Sequence, residues 1–136
     1  SDHHIGDLGG FKKTVSQAIA LAQRKDLIVA LGIEPTRPET GYGYLKIGGE
    51  LPGSDGVALA LERFVEKPSL EKAQGFLSEG GYLWNGGMYA ARVSTLLREF
   101  DLYMPEMKKI WDKHKGKVER AYPHLTATSV DYGVME

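Results

Sequence analysis

Hydrophobic and polar residues follow two different periods along the chain, and the two periods predict an alternation of helices and strands. After Asp7, apolar residues recur every three or four positions, which is typical of an amphipathic helix with Asp7 as its N-cap. The unbroken apolar run at residues 27–31 predicts a strand covered on both faces. Two further strands, at residues 44–47 and 57–67, are separated by a turn-rich segment and predict a β-hairpin.

The second half of the chain continues the same alternation. Ser69 is a suitable N-cap for a helix, and a strand near residues 82–92 is expected to be interrupted by Asn85, Gly86 and Gly87. Three more helices are predicted, beginning at Ser94, Pro105 and Ser129. Strands that alternate with helices indicate an α/β fold.

The composition fits one compact unit and argues against several classes of partner. The chain has 136 residues and 42% hydrophobic content, enough for one domain and too little for two. Its 17 basic and 18 acidic residues nearly cancel, so charge does not favour nucleic acid or an anionic membrane. There is no cysteine and no apolar run of membrane-spanning length, which fits a cytoplasmic protein. The sequence is compatible with a homo-oligomer and does not specify one.

Two segments in the first third of the chain allow both a structural and a functional interpretation. Asp2, His3 and His4 carry metal-ligand side chains, but consecutive side chains of an extended segment point to opposite faces. Tyr42 lies between two glycines in a loop rich in proline. Those glycines either allow a ligand to approach the backbone or serve turn geometry alone.

Polar residues later in the chain are equally open to two interpretations. Glu66 could accept hydroxyl hydrogens and Lys67 could hold a phosphate, or the pair could form a solvated strand end. Asn85 precedes a glycine, a sequence that favours a tight turn as much as a ligand contact. Asp131 suits the first turn of a helix because a carboxylate there interacts favourably with the helix dipole.

Five segments in order resemble the mannose-1-phosphate guanylyltransferases, also called GDP-mannose pyrophosphorylases. They are Ser-Asp-His at residues 1–3, Gly-Ile-Glu-Pro-Thr-Arg-Pro-Glu-Thr-Gly-Tyr-Gly-Tyr at 32–44, Phe-Val-Glu-Lys-Pro at 64–68, Trp-Asn-Gly-Gly-Met-Tyr at 84–89, and Ser-Val-Asp-Tyr-Gly-Val-Met-Glu at 129–136. The segment at 32–44 is the most specific of them, because enzymes for other sugars share Glu-Lys-Pro without this loop. The resemblance covers essentially the whole chain.

This resemblance implies a partial Rossmann-like, mixed-sheet nucleotidyltransferase domain. Such enzymes use Mg²⁺ to transfer GMP from GTP to mannose 1-phosphate, giving GDP-mannose and pyrophosphate. By the same resemblance, the metal ligand is Asp2 and the phosphate-binding residue is Lys67. The sugar-binding residues are Glu66, Asn85 and Asp131, together with Tyr42 and Gly43 through their backbone. In a regular strand Glu66 and Lys67 face opposite sides, so both reach one ligand only if the strand end bends.

Two parts of the family pattern are missing from the sequence: the Gly-rich, Arg-containing phosphate loop and a second metal-binding aspartate. Residues 1–136 are therefore expected to be the sugar-phosphate side of a single nucleotidyltransferase domain, without its nucleotide-binding part. Such a piece is expected to be inactive alone. The alternative is a non-catalytic regulatory or sugar-nucleotide-binding relative.

Overall fold

Residues 3–136 are described by a computed structural model with an α/β fold, as predicted. The helices are α1 (Leu8–Lys25), α2 (Leu70–Glu79), α3 (Val93–Tyr103), α4 (Pro105–Lys113) and α5 (Val118–Ala121). The strands are β1 (Val29–Ile33), β2 (Tyr44–Glu50), β3 (Leu59–Val65) and β4 (Tyr82–Ala90). A 3₁₀ turn at Tyr122–His124 and a π-helical turn at Asp131–Met135 follow. Over the same residues, no helix has the length and apolar character to cross a membrane.

The four strands form one open sheet in the order β1-β4-β2-β3. The predicted hairpin is present, because β2 and β3 pair antiparallel with Tyr44 opposite Val65. β4 also runs antiparallel to both of its neighbours, β1 and β2. The parallel pairing of a mixed sheet therefore does not occur between these four strands.

The apolar run at residues 27–31 forms a strand in a different place from the one predicted. β1 begins two residues later, at Val29, and lies at the edge of the sheet. Its first three residues are half-buried, and Gly32 and Ile33 are exposed. The prediction of a strand covered on both faces is wrong, because strand order depends on contacts between distant segments and apolar character alone does not determine it.

Two helix starts follow the local rules on which they were predicted. The Gly10 backbone N–H donates to Asp7 Oδ1 at 2.9 Å, and the Lys72 N–H donates to Ser69 Oγ at 3.3 Å. Each bond satisfies one of the backbone donors that a helix leaves unpaired in its first turn. The caps therefore fix where α1 and α2 begin.

An aromatic core fills the space between α2 and one face of the sheet. Its buried members are Tyr44, Ala73, Tyr82 and Trp84, with Phe76 and Leu77 packed against them. The rings of Phe76 and Tyr82 stack with centroids 4.2 Å apart. Because side chains alternate along a strand, burying Tyr82 and Trp84 here directs Asn85 to the opposite face of β4.

Candidate functional site

Three residues predicted as sugar ligands meet where β2 begins, β3 ends and β4 passes between β1 and β2. The Asn85 backbone N–H donates to the Gly43 carbonyl at 2.7 Å. A Cβ atom added to Gly43 would lie 2.5 Å from Glu66 Oε2 and 3.3 Å from Asn85 Cβ. Gly43 therefore leaves the room that the Glu66 carboxylate occupies, and a larger residue would displace it.

The chain bends sharply at Lys67, just past the end of β3. Lys67 has φ of 43°, in the left-handed region that residues with a Cβ seldom adopt. The bend places Lys67 Nζ 3.4 Å from Glu66 Oε1, although regular strand geometry would put the two side chains on opposite faces. The Glu66 side chain is 8% exposed and that of Lys67 is 53% exposed. The pair thus offers a buried carboxylate and a cation open to solvent.

A bulge in β4 brings Asn85 close to Tyr89. Gly32 pairs with Asn85 and Ala30 pairs with Tyr89, so β4 has two more residues than β1 over this stretch. Gly87, within the bulge, has φ of 63°, a conformation that favours glycine. In a regular strand two residues four positions apart are separated by about 13 Å. Here Asn85 Nδ2 donates to the Tyr89 hydroxyl at 2.8 Å.

Asp131 joins these two residues from the π-helical turn near the end of the chain. The Tyr89 hydroxyl donates to Asp131 Oδ1 at 2.5 Å, and Asn85 Nδ2 donates to the same oxygen at 3.0 Å. Ser129 helps to fix the turn, since its side chain accepts from the Tyr132 N–H at 3.4 Å. The predicted residues Asn85 and Asp131 are therefore in direct contact, through a sequence separation of 46 residues.

Two pKa shifts follow from this arrangement. Burial raises the pKa of Glu66, the charges of Asp131 and Glu136 raise it further, and the hydrogen bond with Lys67 opposes both. Burial also raises the pKa of Tyr89, and its hydrogen bond to the Asp131 carboxylate acts in the same direction. Tyr89 therefore stays protonated at neutral pH and remains a hydrogen-bond donor.

Comparison with known proteins assigns the chain to a family. The sequence model described as nucleotidyl transferase matches residues 1–135. The chain belongs to the nucleotidyl transferase family. This assignment agrees with the resemblance recognised in the five motifs.

The relatives of this nucleotidyl transferase include proteins named for xanthan biosynthesis and for guanylyl transfer to mannose 1-phosphate. The xanthan biosynthesis protein XanB of Xanthomonas campestris pv. campestris strain B100 is 42% identical over the whole chain, which covers 30% of that protein. A mannose-1-phosphate guanylyltransferase of Escherichia coli K12 is 38% identical, and the match covers 100% of this chain and 30% of that protein. The chain thus spans about a third of the length of the curated relatives that it matches.

Solved structures resemble the whole of this nucleotidyl transferase chain. The crystal structure described as a mannose-1-phosphate geranyltransferase from Thermus thermophilus superposes with a TM-score of 0.85 at 34% identity, covering 99% of this chain and 39% of that one. A structure described as mannose-6-phosphate isomerase from Helicobacter pylori gives a TM-score of 0.82 at 29% identity, covering 100% and 55%. Both similarities extend over the sheet and the site.

Tyr42, another predicted sugar-binding residue, directs its side chain elsewhere. Its ring contacts Trp84 edge-on at 5.3 Å between centroids, and the Arg37 guanidinium lies 5.4 Å from the same indole. The Tyr42 side chain is therefore not brought together with Glu66 and Asn85. The role predicted for Tyr42 is a contact between its backbone and the sugar. The packing of the side chain does not test that contact, which stays a prediction.

The loop before β2 is held by Glu39. The Gly41 N–H donates to Glu39 Oε1 at 3.1 Å, and the Tyr44 hydroxyl donates to the Glu39 carbonyl at 2.9 Å. The Gly41 bond lowers the pKa of the Glu39 carboxyl, and Arg37 contributes in the same direction. These bonds anchor the loop to the buried Tyr44 and so fix Gly43 beside the site.

The predicted metal ligand Asp2 lies outside the described residues. Within residues 3–136, no group of three or more His, Cys, Asp or Glu side chains is arranged to hold a metal ion. Among the described residues, His3 and His4 therefore belong to no such group. The predicted magnesium site therefore remains a prediction from the motif at residues 1–3.

Tyr89 is a residue of this candidate site that the sequence pattern did not predict. It lies four positions after Asn85, too far for contact along a regular strand. The available signal is the pair Gly86 and Gly87, because glycines inside a strand often mark a bulge. The interruption predicted at residues 85–87 is present as a bulge in the pairing with β1, and the strand β4 continues through it to Ala90.

Proposed function

We propose that this chain is the sugar-phosphate-binding part of a mannose-1-phosphate guanylyltransferase. In the complete enzyme, GMP is transferred from GTP to mannose 1-phosphate, which gives GDP-mannose and pyrophosphate. Support comes from the family membership and from relatives that carry this enzyme name. The chain alone is proposed to bind the sugar phosphate without completing the transfer.

One observation carries the proposal: a buried carboxylate and an open ammonium group lie side by side at the bend after β3. Glu66 Oε1 and Lys67 Nζ are 3.4 Å apart, and their side chains differ strongly in exposure. A carboxylate accepts hydrogen bonds from sugar hydroxyls, and an ammonium group binds a phosphate through charge. A ligand with hydroxyl groups at one end and a phosphate at the other matches this pair.

The proposed reaction requires positioning and charge neutralisation, with no covalent bond to the protein. A phosphate oxygen of mannose 1-phosphate attacks the α-phosphorus of GTP, the bond to the β-phosphate breaks, and pyrophosphate leaves. Glu66, with Asn85 and Asp131 nearby, would hold the sugar ring. Lys67 would hold the attacking phosphate and reduce its repulsion from the nucleotide phosphates.

The proposal includes a magnesium ion, and Asp2 is the one residue predicted to bind it. When bound, the ion would neutralise charge on the phosphates. The described residues do not fit such an ion by themselves, since residues 3–136 contain no suitable group of ligands. The roles of Glu66 and Lys67 do not depend on it.

Binding of two ligands that differ only in the phosphate tests the role of Lys67. Mannose 1-phosphate and mannose are titrated into the wild-type chain and into Lys67→Ala, with NMR shifts as the readout. Lys67→Ala should weaken binding of mannose 1-phosphate by about tenfold or more, because a charged hydrogen bond is lost, and should leave mannose binding unchanged.

Lys72→Ala is the matched control, since Lys72 is an exposed lysine of the neighbouring helix α2. It should bind both ligands as the wild type does. Equal losses for mannose and mannose 1-phosphate in Lys67→Ala would remove Lys67 from phosphate binding. Failure of the wild-type chain to bind either ligand would contradict the proposed function.

A further inference from the structure

Three polar atoms form a closed triangle at the centre of the site. Asn85 Nδ2 lies 2.8 Å from the Tyr89 hydroxyl and 3.0 Å from Asp131 Oδ1, and the two oxygens are 2.5 Å apart. These distances fix the angle between the two acceptors, seen from the amide nitrogen, at about 50°. This small angle limits which hydrogen bonds the two N–H groups of the amide can make to the two oxygens.

The two hydrogens of a planar amide diverge by about 120°, far more than the directions of the two oxygens. One N–H of Asn85 therefore lies between both acceptors in a shared hydrogen bond, and the second N–H points away from them. The Asn85 oxygen is engaged as well, because it accepts from the Gly87 N–H at 3.0 Å. Only one orientation of the amide satisfies all these contacts.

Asp131 is constrained in the same way. Its Oδ1 accepts from both Tyr89 and Asn85, which leaves Oδ2 as the carboxylate oxygen outside the triangle. The Tyr89 hydroxyl connects the two partners, since it accepts from Asn85 and donates to Asp131. Without that hydroxyl, a single 3.0 Å contact would remain between the amide and the carboxylate.

We propose that Tyr89 is a positioning residue of the sugar site: its hydroxyl orients Asn85 and Asp131 so that one amide hydrogen and one carboxylate oxygen stay available to ligand hydroxyls. The inference rests on the proposed function. A donor beside an acceptor matches a sugar hydroxyl, which both donates and accepts. Tyr89 thus acts on recognition of the sugar ring and has no part in holding the phosphate.

The first test needs no ligand. The side-chain amide protons of Asn85 are followed by NMR in the wild-type chain and in Tyr89→Phe, with Tyr122→Phe as the control because Tyr122 is 73% exposed. In the wild type, one proton should be shifted downfield and exchange slowly, while the other exchanges faster. Tyr89→Phe should reduce this difference, and Tyr122→Phe should preserve it. Identical amide signals in wild type and Tyr89→Phe would overturn the inference.

The second test compares mannose 1-phosphate with methyl phosphate, which lacks the sugar. Tyr89→Phe should weaken binding of mannose 1-phosphate by about three- to tenfold, as expected for a neutral hydrogen bond, and should leave methyl phosphate binding unchanged. Equal weakening of both ligands would indicate a general structural role and contradict the positioning role.

The third measurement uses the wild type alone, so it does not depend on how well the variant folds. Added mannose 1-phosphate should shift and protect the second, faster-exchanging Asn85 proton, while the slowly exchanging proton stays in place. A change confined to the slowly exchanging proton would overturn the inference. If the wild type binds no mannose 1-phosphate, the proposed function fails, and the ligand-free amide signals still decide whether Tyr89 orients Asn85.

Discussion

Lys67 Nζ lies 3.4 Å from Glu66 Oε1 because the backbone turns into the left-handed region at Lys67. A left-handed conformation costs a residue with a Cβ about 1–2 kcal/mol. The bend places two consecutive side chains, which a regular strand would separate, on the same side of the chain. The Glu66 carboxylate beside this bend is buried, and burial raises its pKa.

Glu66→Gln should change stability and binding in opposite directions. A raised carboxyl pKa means that folding favours the protonated form, so the contribution of Glu66 to stability is greatest below its ordinary pKa of 4.5 and is lost as pH rises through the folded value. Glutamine resembles the protonated acid and cannot ionise. Glu66→Gln should therefore be more stable than wild type at pH 7, and the difference should disappear on approaching pH 4.

Chemical denaturation between pH 4 and pH 8 measures this stability difference. Mannose binding at pH 7 should weaken in the same variant by about tenfold or more, because an ionised acceptor is lost. A Glu66→Gln variant that is less stable than wild type at pH 7 would show that the ion pair with Lys67 outweighs the burial of the carboxylate.

Gly43→Ala should displace the Glu66 carboxylate, since the new Cβ would lie 2.5 Å from Oε2. We expect a loss of about 1–3 kcal/mol in the free energy of unfolding, together with weaker mannose 1-phosphate binding. Gly49→Ala, in the strand β2 that follows Gly43, is the control because its Cβ would meet nothing within 4 Å. Denaturant titration should find Gly49→Ala within about 0.5 kcal/mol of wild type. Similar stabilities for the two variants would contradict the close approach at Gly43.

Gly87→Ala tests whether the bulge in β4 depends on backbone conformation. A Cβ on Gly87 would meet nothing within 4 Å, but φ is 63°, so the expected cost is about 1–2 kcal/mol of backbone strain. Gly75→Ala, in α2, also meets nothing within 4 Å and has helical geometry, so it should stabilise the chain by about 0.5–1 kcal/mol. Thermal denaturation of both variants gives the comparison. Changes in melting temperature of the same sign for Gly87→Ala and Gly75→Ala would contradict the left-handed conformation of Gly87 in the bulge.

The exposed edge of β1 is expected to cause self-association. Ile33 is 40% exposed on a strand with one paired neighbour among residues 3–136, and such edges pair with other chains. Light scattering should therefore detect oligomers of the wild-type chain, and Ile33→Lys should reduce them. Leu102→Lys, at an exposed position of α3, is the control and should leave association unchanged. A wild-type monomer at all concentrations would refute the prediction.

Local rules predicted the features that depend on a few neighbouring residues. Asp7 and Ser69 cap helices as expected, because a cap is decided within three positions of the chain. The motif around Glu66 likewise led to its prediction as a sugar ligand, since the chemistry of the side chain is visible in the sequence, and that role stays a prediction.

Contacts between distant segments could not be predicted in the same way. The hydrogen bond between Tyr89 and Asp131 joins residues 42 positions apart and depends on the bulge in β4. The edge position of β1 depends on which strands lie beside it. Side-chain period and composition contain neither the strand order nor the length of a bulge.

The two faces of β4 have different roles, since one packs in the core and the other holds polar contacts of the candidate site. Tyr82 and Trp84 contribute to the aromatic core on one face, while Asn85 and Tyr89 contact Asp131 on the other. Under the proposed function, ligand preference would depend on the face that carries Asn85 and Tyr89, and the packing of the strand on the face that carries Tyr82 and Trp84.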